Sequence, residues 1–191
     1  MSPSFFGHGP LIDRLKAAVV ADVRSAVIVP HIDGTAVPVH RLGDERIQAL
    51  FEDPMTAVIA AFQMAFRRGC RRVVIVVPTT SMSGGAEYAA TAALAEAARV
   101  LVKSAARQWG AAGVTVNAVA VEPRWFGIDP TVAGPVSIAE PALLPRNDSS
   151  GVRSPDVSRV LDPAPLVSWL CSEAAGTTTG QTIVCDGGQW M

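Results

Sequence analysis

The chain has 191 residues, 49% hydrophobic and 17% charged, with a net charge of −1 and a mean hydropathy of +0.31, enough for one domain with a sizeable core. Sixteen basic side chains against 17 acidic ones, and a pI near 6.3, give no field suited to a phosphate backbone, which excludes nucleic acid as a partner. Apolar stretches such as 55–66 and 73–77 fall far short of the ~20 residues that cross a bilayer, so no membrane span is expected.

Leu11 to Val23 carries apolar residues at helical spacing, and Ser25-Ala-Val-Ile-Val29 follows as a short buried strand closed by Pro30. Asp44 to Glu52 is a second helical stretch. Asp53-Pro54 sets a cap residue before a proline, which predicts the start of a separate helix running to Arg68, with Gly69 as its stop. Arg72-Val-Val-Ile-Val-Val77 is β-branched and apolar on both faces, as in a strand covered on both sides. Ala86 to Trp109 is a long alanine-rich helix, and Val114 to Val119 the next strand. Prolines recur from 121 to 162 too often for a helix or central strand, and this stretch is read as a lid or loop. Asp162 to Glu173 is a last helix and Thr182-Ile-Val-Cys185 a last strand. Strands alternating with helices over residues 1–191 predict a single α/β domain with about four parallel strands and right-handed crossovers.

Cys70, Cys171 and Cys185 are odd in number, and with His8, His31 and His40 they make no pair at ligand spacing, so no metal site is expected. The opening Met-Ser-Pro-Ser-Phe-Phe has no cationic start followed by an apolar stretch, and a cytoplasmic location is expected. Low charge with high apolar content predicts that much surface is hidden, either in the core or against other subunits, and makes an oligomer an expectation.

Three segments point further. Val114-Thr-Val-Asn-Ala-Val-Ala120, Gly180-Gln-Thr-Ile-Val-Cys-Asp-Gly-Gly188 and Lys103-Ser-Ala-Ala-Arg-Gln-Trp-Gly110 resemble, in turn, a strand, the C-terminal ending and the end of the catalytic helix of short-chain dehydrogenases/reductases. The resemblance covers about residues 25–190, with the proline-rich stretch unmatched. It implies a partial Rossmann-like parallel sheet and an NAD(P)-dependent hydride transfer through an Asn, Ser, Tyr and Lys set. In ungapped register the tyrosine falls on Thr91, the lysine on Ala95, the serine on Pro78 and the asparagine near Pro54. None of these side chains does the family's proton chemistry. Tyr88, the only tyrosine, has Ala92 four residues on, so no register yields Tyr-x-x-x-Lys.

The cofactor half is also reduced. Ser25 to Val29 resembles the family's fourth strand, with about two dozen residues before it, so the chain is read as shortened on that side and the NAD(P) site as lost. Phe6-Gly-His-Gly-Pro10 has a glycine pair but no full strand ahead of it, and is read as a turn before a helix. If the family's strand order holds, Ala26 to Val29 is left with an open apolar edge, for which Phe5 and Phe6 could supply a stub of strand.

Two functions compete. The leading one is a non-catalytic subunit that stabilises or regulates an oligomer, with a catalytically intact relative as partner. The resemblance places the contact on helices 55–68 and 86–109 and the C-terminal strand, with no cofactor and no metal. The alternative is a divergent oxidoreductase or lyase whose acid/base group is rebuilt from His31, Asp33 and Tyr88, with Glu87 nearby in sequence to Tyr88. Thr79, Thr80, Ser81 and Ser83 lack a nucleophile-elbow context and read as a hydroxyl-rich turn. Asp44-Glu45 and Glu52-Asp53 read as helix-start charges, and Trp125 and Trp190 as packing or interface aromatics.

Overall fold

A computed structural model describes residues 2–128 and 161–187. Five strands form one wholly parallel sheet in the order β1-β2-β3-β4-β5: β1 (Ser4–Phe6), β2 (Ser25–Ile28), β3 (Arg72–Pro78), β4 (Thr115–Val121) and β5 (Thr182–Cys185). Every residue of β2, β3 and β4 is buried. Alternating side chains therefore feed two separate cores, which is why these strands read as unbroken apolar runs.

One core holds Val27, Val29, Val74, Val76, Val119 and Val121 under α1 (Pro10–Ala18) and α6 (Ala164–Leu170). The other holds Ala26, Ile28, Val73, Ile75 and Val77 under α3 (Asp53–Arg67) and α5 (Ala89–Trp109). Because strand order follows chain order, every connection advances in the same direction across the sheet. The β1–β2 helix and the described part of the β4–β5 connection lie on one face, while the two central connections lie on the other. The connections thus have both hands, a correction to the uniformly right-handed crossovers expected. A sheet apolar on both faces needs cover on both, and with strands added in one direction only opposite hands provide it.

The edge of β2 is not open. Ser4, Phe5 and Phe6 pair with Ala26, Val27 and Ile28, so a fifth strand stands where four were expected. The predicted break at Asp53-Pro54 is also corrected. A short helix, α2 (Asp44–Ile47), passes through a π-helical segment (Gln48–Glu52) directly into α3, and Asp53 itself is helical (φ −62°, ψ −48°). Pro54 lacks an N–H and crowds the carbonyl four residues back, and a locally widened turn accommodates both. Glu52 and Asp53 therefore lie inside a continuous helix, not at a start. The hydroxyl-rich turn contains a short helix, α4 (Thr80–Ser83), and α5 begins at Ala89, three residues later than the pattern suggests. Of the expected lid, 129–160 lie outside the described residues, as does Trp190.

The motifs behind the resemblance meet in space. Asn117 of β4 is wholly buried; its Nδ2 donates to the Thr178 carbonyl at 2.8 Å and its Oδ1 accepts from the Gln181 amide at 3.1 Å. Thr179 Oγ1 accepts from the Val116 amide at 3.0 Å, and Gly180, at φ +72°, donates to the Val116 carbonyl at 2.7 Å. Both motifs are thus a lock that sets β5 against β4. At the other end of the sheet, buried Arg72 donates to the Ser172 carbonyl at 3.1 Å and pairs with Glu173. Asp162 accepts from the Ala164 amide at 3.1 Å and pairs with Arg14, joining α6 to α1.

Candidate functional site

Among parallel strands a crevice opens at the carboxyl ends where successive connections leave for opposite faces. The chain leaves β1 for the α1 face and leaves β2 for the α3 face, so their loops part from one another. In that crevice His8, on the β1–α1 turn, stacks on His31, on the loop after β2, with ring centroids 4.6 Å apart and 28° between planes. Two clefts flank the pair. One of about 280 Å³ lies towards α3 and is lined by Phe6, Ile28, Pro54, Ala57 and Val58. The other, about 400 Å³, is bounded by the start of α1 and by residues 124–127.

The glycines set the turn. Gly7 has φ +127°, and a Cβ there would sit 2.3 Å from the Val29 carbonyl oxygen; Gly9 has φ +99° and caps α1 without a side-chain bond. The Val29 amide in turn donates to the Phe6 carbonyl at 2.9 Å. The segment expected to be a simple turn is therefore a strand–glycine turn–helix unit, built on a strand of three residues.

On the far wall of the larger cleft, Arg124 pairs through Nε with Glu122. Glu122 is 1% exposed, and burial pushes its carboxyl up from the ordinary 4.5; the Arg124 charge and hydrogen bond oppose that rise, and Asp186 adds to it. Pro123–Phe126 form one 3-10 turn, ended by Gly127 at φ +70°. Sequence reasoning passed over His8 as a site residue, and Arg124 and Glu122 altogether. The basic residue beside Trp125 was visible, but its place opposite the β1–α1 turn depends on the fold.

The residues singled out from sequence do not converge into a proton relay. His31 and Asp33 are exposed. The Asp33 carboxylate accepts from Thr35 Oγ1 at 2.6 Å and from the Thr35 amide at 2.9 Å; the hydroxyl bond is the main cause of its lowered pKa, and the His31 charge adds only a little. Tyr88 is 3% exposed, within the core shared by α1 and α6. Glu87 beside it holds φ +63°, its carbonyl accepting from the Val37 amide at 2.6 Å. Thr91 and Ala95 are buried on α5, Pro54 on α3, and Pro78 at the end of β3. Among the described residues, no group of three or more His, Cys, Asp or Glu side chains is arranged to hold a metal ion, and no helix is long and apolar enough to cross a membrane.

A parallel sheet covered by helices on both faces, with a glycine turn and a crevice at its carboxyl edge, defines a Rossmann-like architecture. A family model described as enoyl-(acyl carrier protein) reductase matches residues 22–189, and the chain belongs to the short-chain dehydrogenase/reductase family. No curated protein matches it. Among solved structures it is similar to acetoin dehydrogenase YohF from Salmonella typhimurium, at 24% identity and a TM-score of 0.59, over 85% of this chain and 63% of that one. It is also similar to sorbitol-6-phosphate 2-dehydrogenase SrlD from Erwinia amylovora, at 18% identity and a TM-score of 0.61, over 87% of this chain and 68% of that one. YwfH, an NADPH-dependent reductase involved in bacilysin biosynthesis, gives 20% identity and a TM-score of 0.61 over 86% and 66%. The chain thus spans about two thirds of the length of these structures.

Proposed function

We propose that this chain is a non-catalytic member of its family that stabilises or regulates an oligomer containing a catalytically intact relative. The observation that carries this reading is the burial of Thr91, Ala95 and Pro78, three of the four positions matching the family's catalytic set, within close-packed helices and strands, while the fourth, Pro54, lines the smaller cleft with no polar side-chain atom. Ala95 has no accessible surface, and a threonine hydroxyl is a poor proton donor at neutral pH.

The dinucleotide also fits poorly. β1 is the edge of the described sheet, so no described strand beyond it carries a residue to read an adenosine ribose. The His8–His31 stack occupies the crevice beside the glycine turn, where a pyrophosphate needs close backbone approach. On this reading the chain transfers no hydride.

Exposed apolar surface supports the partner. Ile59, Met64 and Phe66 on α3 and Val100 on α5 are 40%, 43%, 44% and 60% exposed, on the solvent side of the helix layer. Phe66 is braced by stacking on Trp109 at 4.9 Å. Small residues along α5 permit close approach of a second helix pair. At the far edge of the sheet β5 is only half-buried along its whole length, whereas β3 and β4 are buried throughout.

The test is the native mass and composition of the complex recovered through a tag on this chain from its own host. The expected result is an assembly with a second chain carrying Tyr-x-x-x-Lys. A self-only assembly overturns the heteromer, and stoichiometric NAD(P)H turnover by this chain alone overturns the non-catalytic role.

A further inference from the structure

We infer that Glu122, Arg124 and Asp186 form a proton-operated latch on the wall of the larger cleft: ionised Glu122 holds Arg124 down on the turn at 123–126, and uptake of one proton releases that guanidinium to the cleft and to water. The latch belongs to this chain alone and stands whether or not a partner subunit is found.

The sheet fixes its place. Val121 and Cys185 are the last paired residues of β4 and β5, so Glu122 and Asp186 each stand one position further on, at neighbouring strand ends. Both are buried, at 1% and 2% exposure. A carboxylate withdrawn from water is costly unless a cation meets it, and a second carboxylate nearby adds to the cost of ionising it. The cation paired with Glu122 is Arg124, whose side chain is 47% exposed. One partner of the pair is thus anchored in the fold while the other lies half in solvent, and only the second has room to move.

Proton and guanidinium compete for the same carboxyl group. Burial and the Asp186 charge favour the neutral form of Glu122, whereas the charge and hydrogen bond of Arg124 favour the ionised one. With the proton bound, the charge-assisted bond from Arg124 Nε becomes an ordinary one, about half as strong, and hydration of the exposed guanidinium competes with it.

The turn carries the change outward. It closes on itself through the Trp125 amide, which donates to the Glu122 carbonyl at 3.2 Å, and the Gly127 amide, which donates to the Arg124 carbonyl at 3.1 Å. Trp125 lines the cleft and packs, partly buried, against the core under α1 and α6. Gly127 meets the loop that follows β2, where a Cβ on Gly34 would lie 2.3 Å from the Gly127 carbonyl oxygen. The turn that holds Arg124 is therefore in backbone contact with the loop that bears His31.

Other ionisable groups surround the latch. His8 and His31 share the cleft with Arg124, and they are the groups whose own titration would mimic it. Cys185 feels both Asp186 and Asp162, but burial pushes its thiol up and keeps it neutral. Asp162 is itself paired with Arg14 on α1.

The experiment follows the Trp125 indole N–H and the Arg124 Nε–H by NMR of the isotope-labelled full-length chain between pH 4 and pH 8, with Trp125→Phe and Arg124→Lys assigning the two signals. The expected result is one step shared by both signals, with the Arg124 proton sharp above it and lost to solvent exchange below it. Glu122→Gln is expected to abolish the step and leave both signals in their low-pH state throughout, its folding being checked by circular dichroism. Asp186→Asn is expected to move the step to lower pH, because a like charge is removed, and it keeps the test open should Glu122→Gln not fold. Replacing His8 and His31 together by Asn is expected to leave the midpoint where it is. Absence of any step in the wild type, a step that survives Glu122→Gln, one that Asp186→Asn leaves in place or raises, or one that disappears with the two histidines each overturns the inference.

Discussion

β3 and β4 run for seven residues each with every side chain buried, whereas β1 runs for three with every side chain half-buried. The first region carries the family's sequence signature, and there the signature is structural: Asn117, Thr179, Gly180 and Gln181 fasten one strand to the next. The second region carries little signature and supplies the glycine turn, the histidine stack and the walls of both clefts. Family resemblance in this chain therefore reports how the sheet is held together, while β1 and its glycine turn lie outside the stretch that the family model matches.

The sharpest way to break that contrast is to place a tyrosine and a lysine at the positions that the resemblance aligns with the family's catalytic pair. Thr91→Tyr with Ala95→Lys inserts bulk and an unpaired ammonium into fully packed positions, at a cost of about 3–5 kcal/mol, and is expected to yield no turnover. Urea unfolding and an NAD(P)H assay on the same preparation check both parts. Asn117→Ala removes the two hydrogen bonds that a wholly buried side chain makes to the Thr178 carbonyl and the Gln181 amide and is expected to cost about 1–3 kcal/mol, read by the same unfolding curves.

In the β1 region, Gly9→Ala meets no neighbour within 4 Å and carries only its backbone strain, about 1–3 kcal/mol. Gly7→Ala adds a clash with the Val29 carbonyl, so it is expected to be the more destabilising of the two and to displace β1. Loss of exchange protection at the Val29 amide, which donates to Phe6, reads that displacement.

Glu122 joins the two regions and gives a pH test. Its folded carboxyl titrates above its ordinary value, so its contribution is fully present below about pH 4.5 and is lost as pH rises through the elevated folded value. Relative to Glu122→Gln, the wild type is expected to lose stability across that rise, measured as the difference in urea midpoint between pH 4 and pH 8. The smallest effect concerns Cys171, whose thiol is pushed up to about 12 by burial. It is expected to resist alkylation at pH 8 in the folded protein and to react once the chain is unfolded in urea.

The β-branched runs at 72–77 and 114–119 identify their strands because full burial on both faces leaves a pattern that few helices share. Phe5 and Phe6 show no such pattern: three residues are too few to display a period, and only pairing with β2 makes them a strand. Asp53-Pro54 has the local chemistry of a helix start, yet packing carries the helix through it by widening one turn. The alignment of Thr91 and Ala95 with the family's tyrosine and lysine follows from counting along a helix with a fixed repeat. The burial of Tyr88 and Glu122, and the meeting of His8 with His31 and Arg124 across one cleft, depend on long-range geometry that no local spacing encodes.

A sheet whose strand order equals its chain order has a consequence for biosynthesis. Each new strand docks only against the one made just before it, so each pairing closes a single connection, the longest being residues 122–181 ahead of β5. The sheet can therefore grow edge by edge as the polypeptide leaves the ribosome, with each fresh apolar edge covered by the next strand to emerge. The last event is the docking of β5, when the loop at 178–181 reaches Asn117, and until then the edge of β4 is the one that a chaperone or a neighbouring nascent chain would meet.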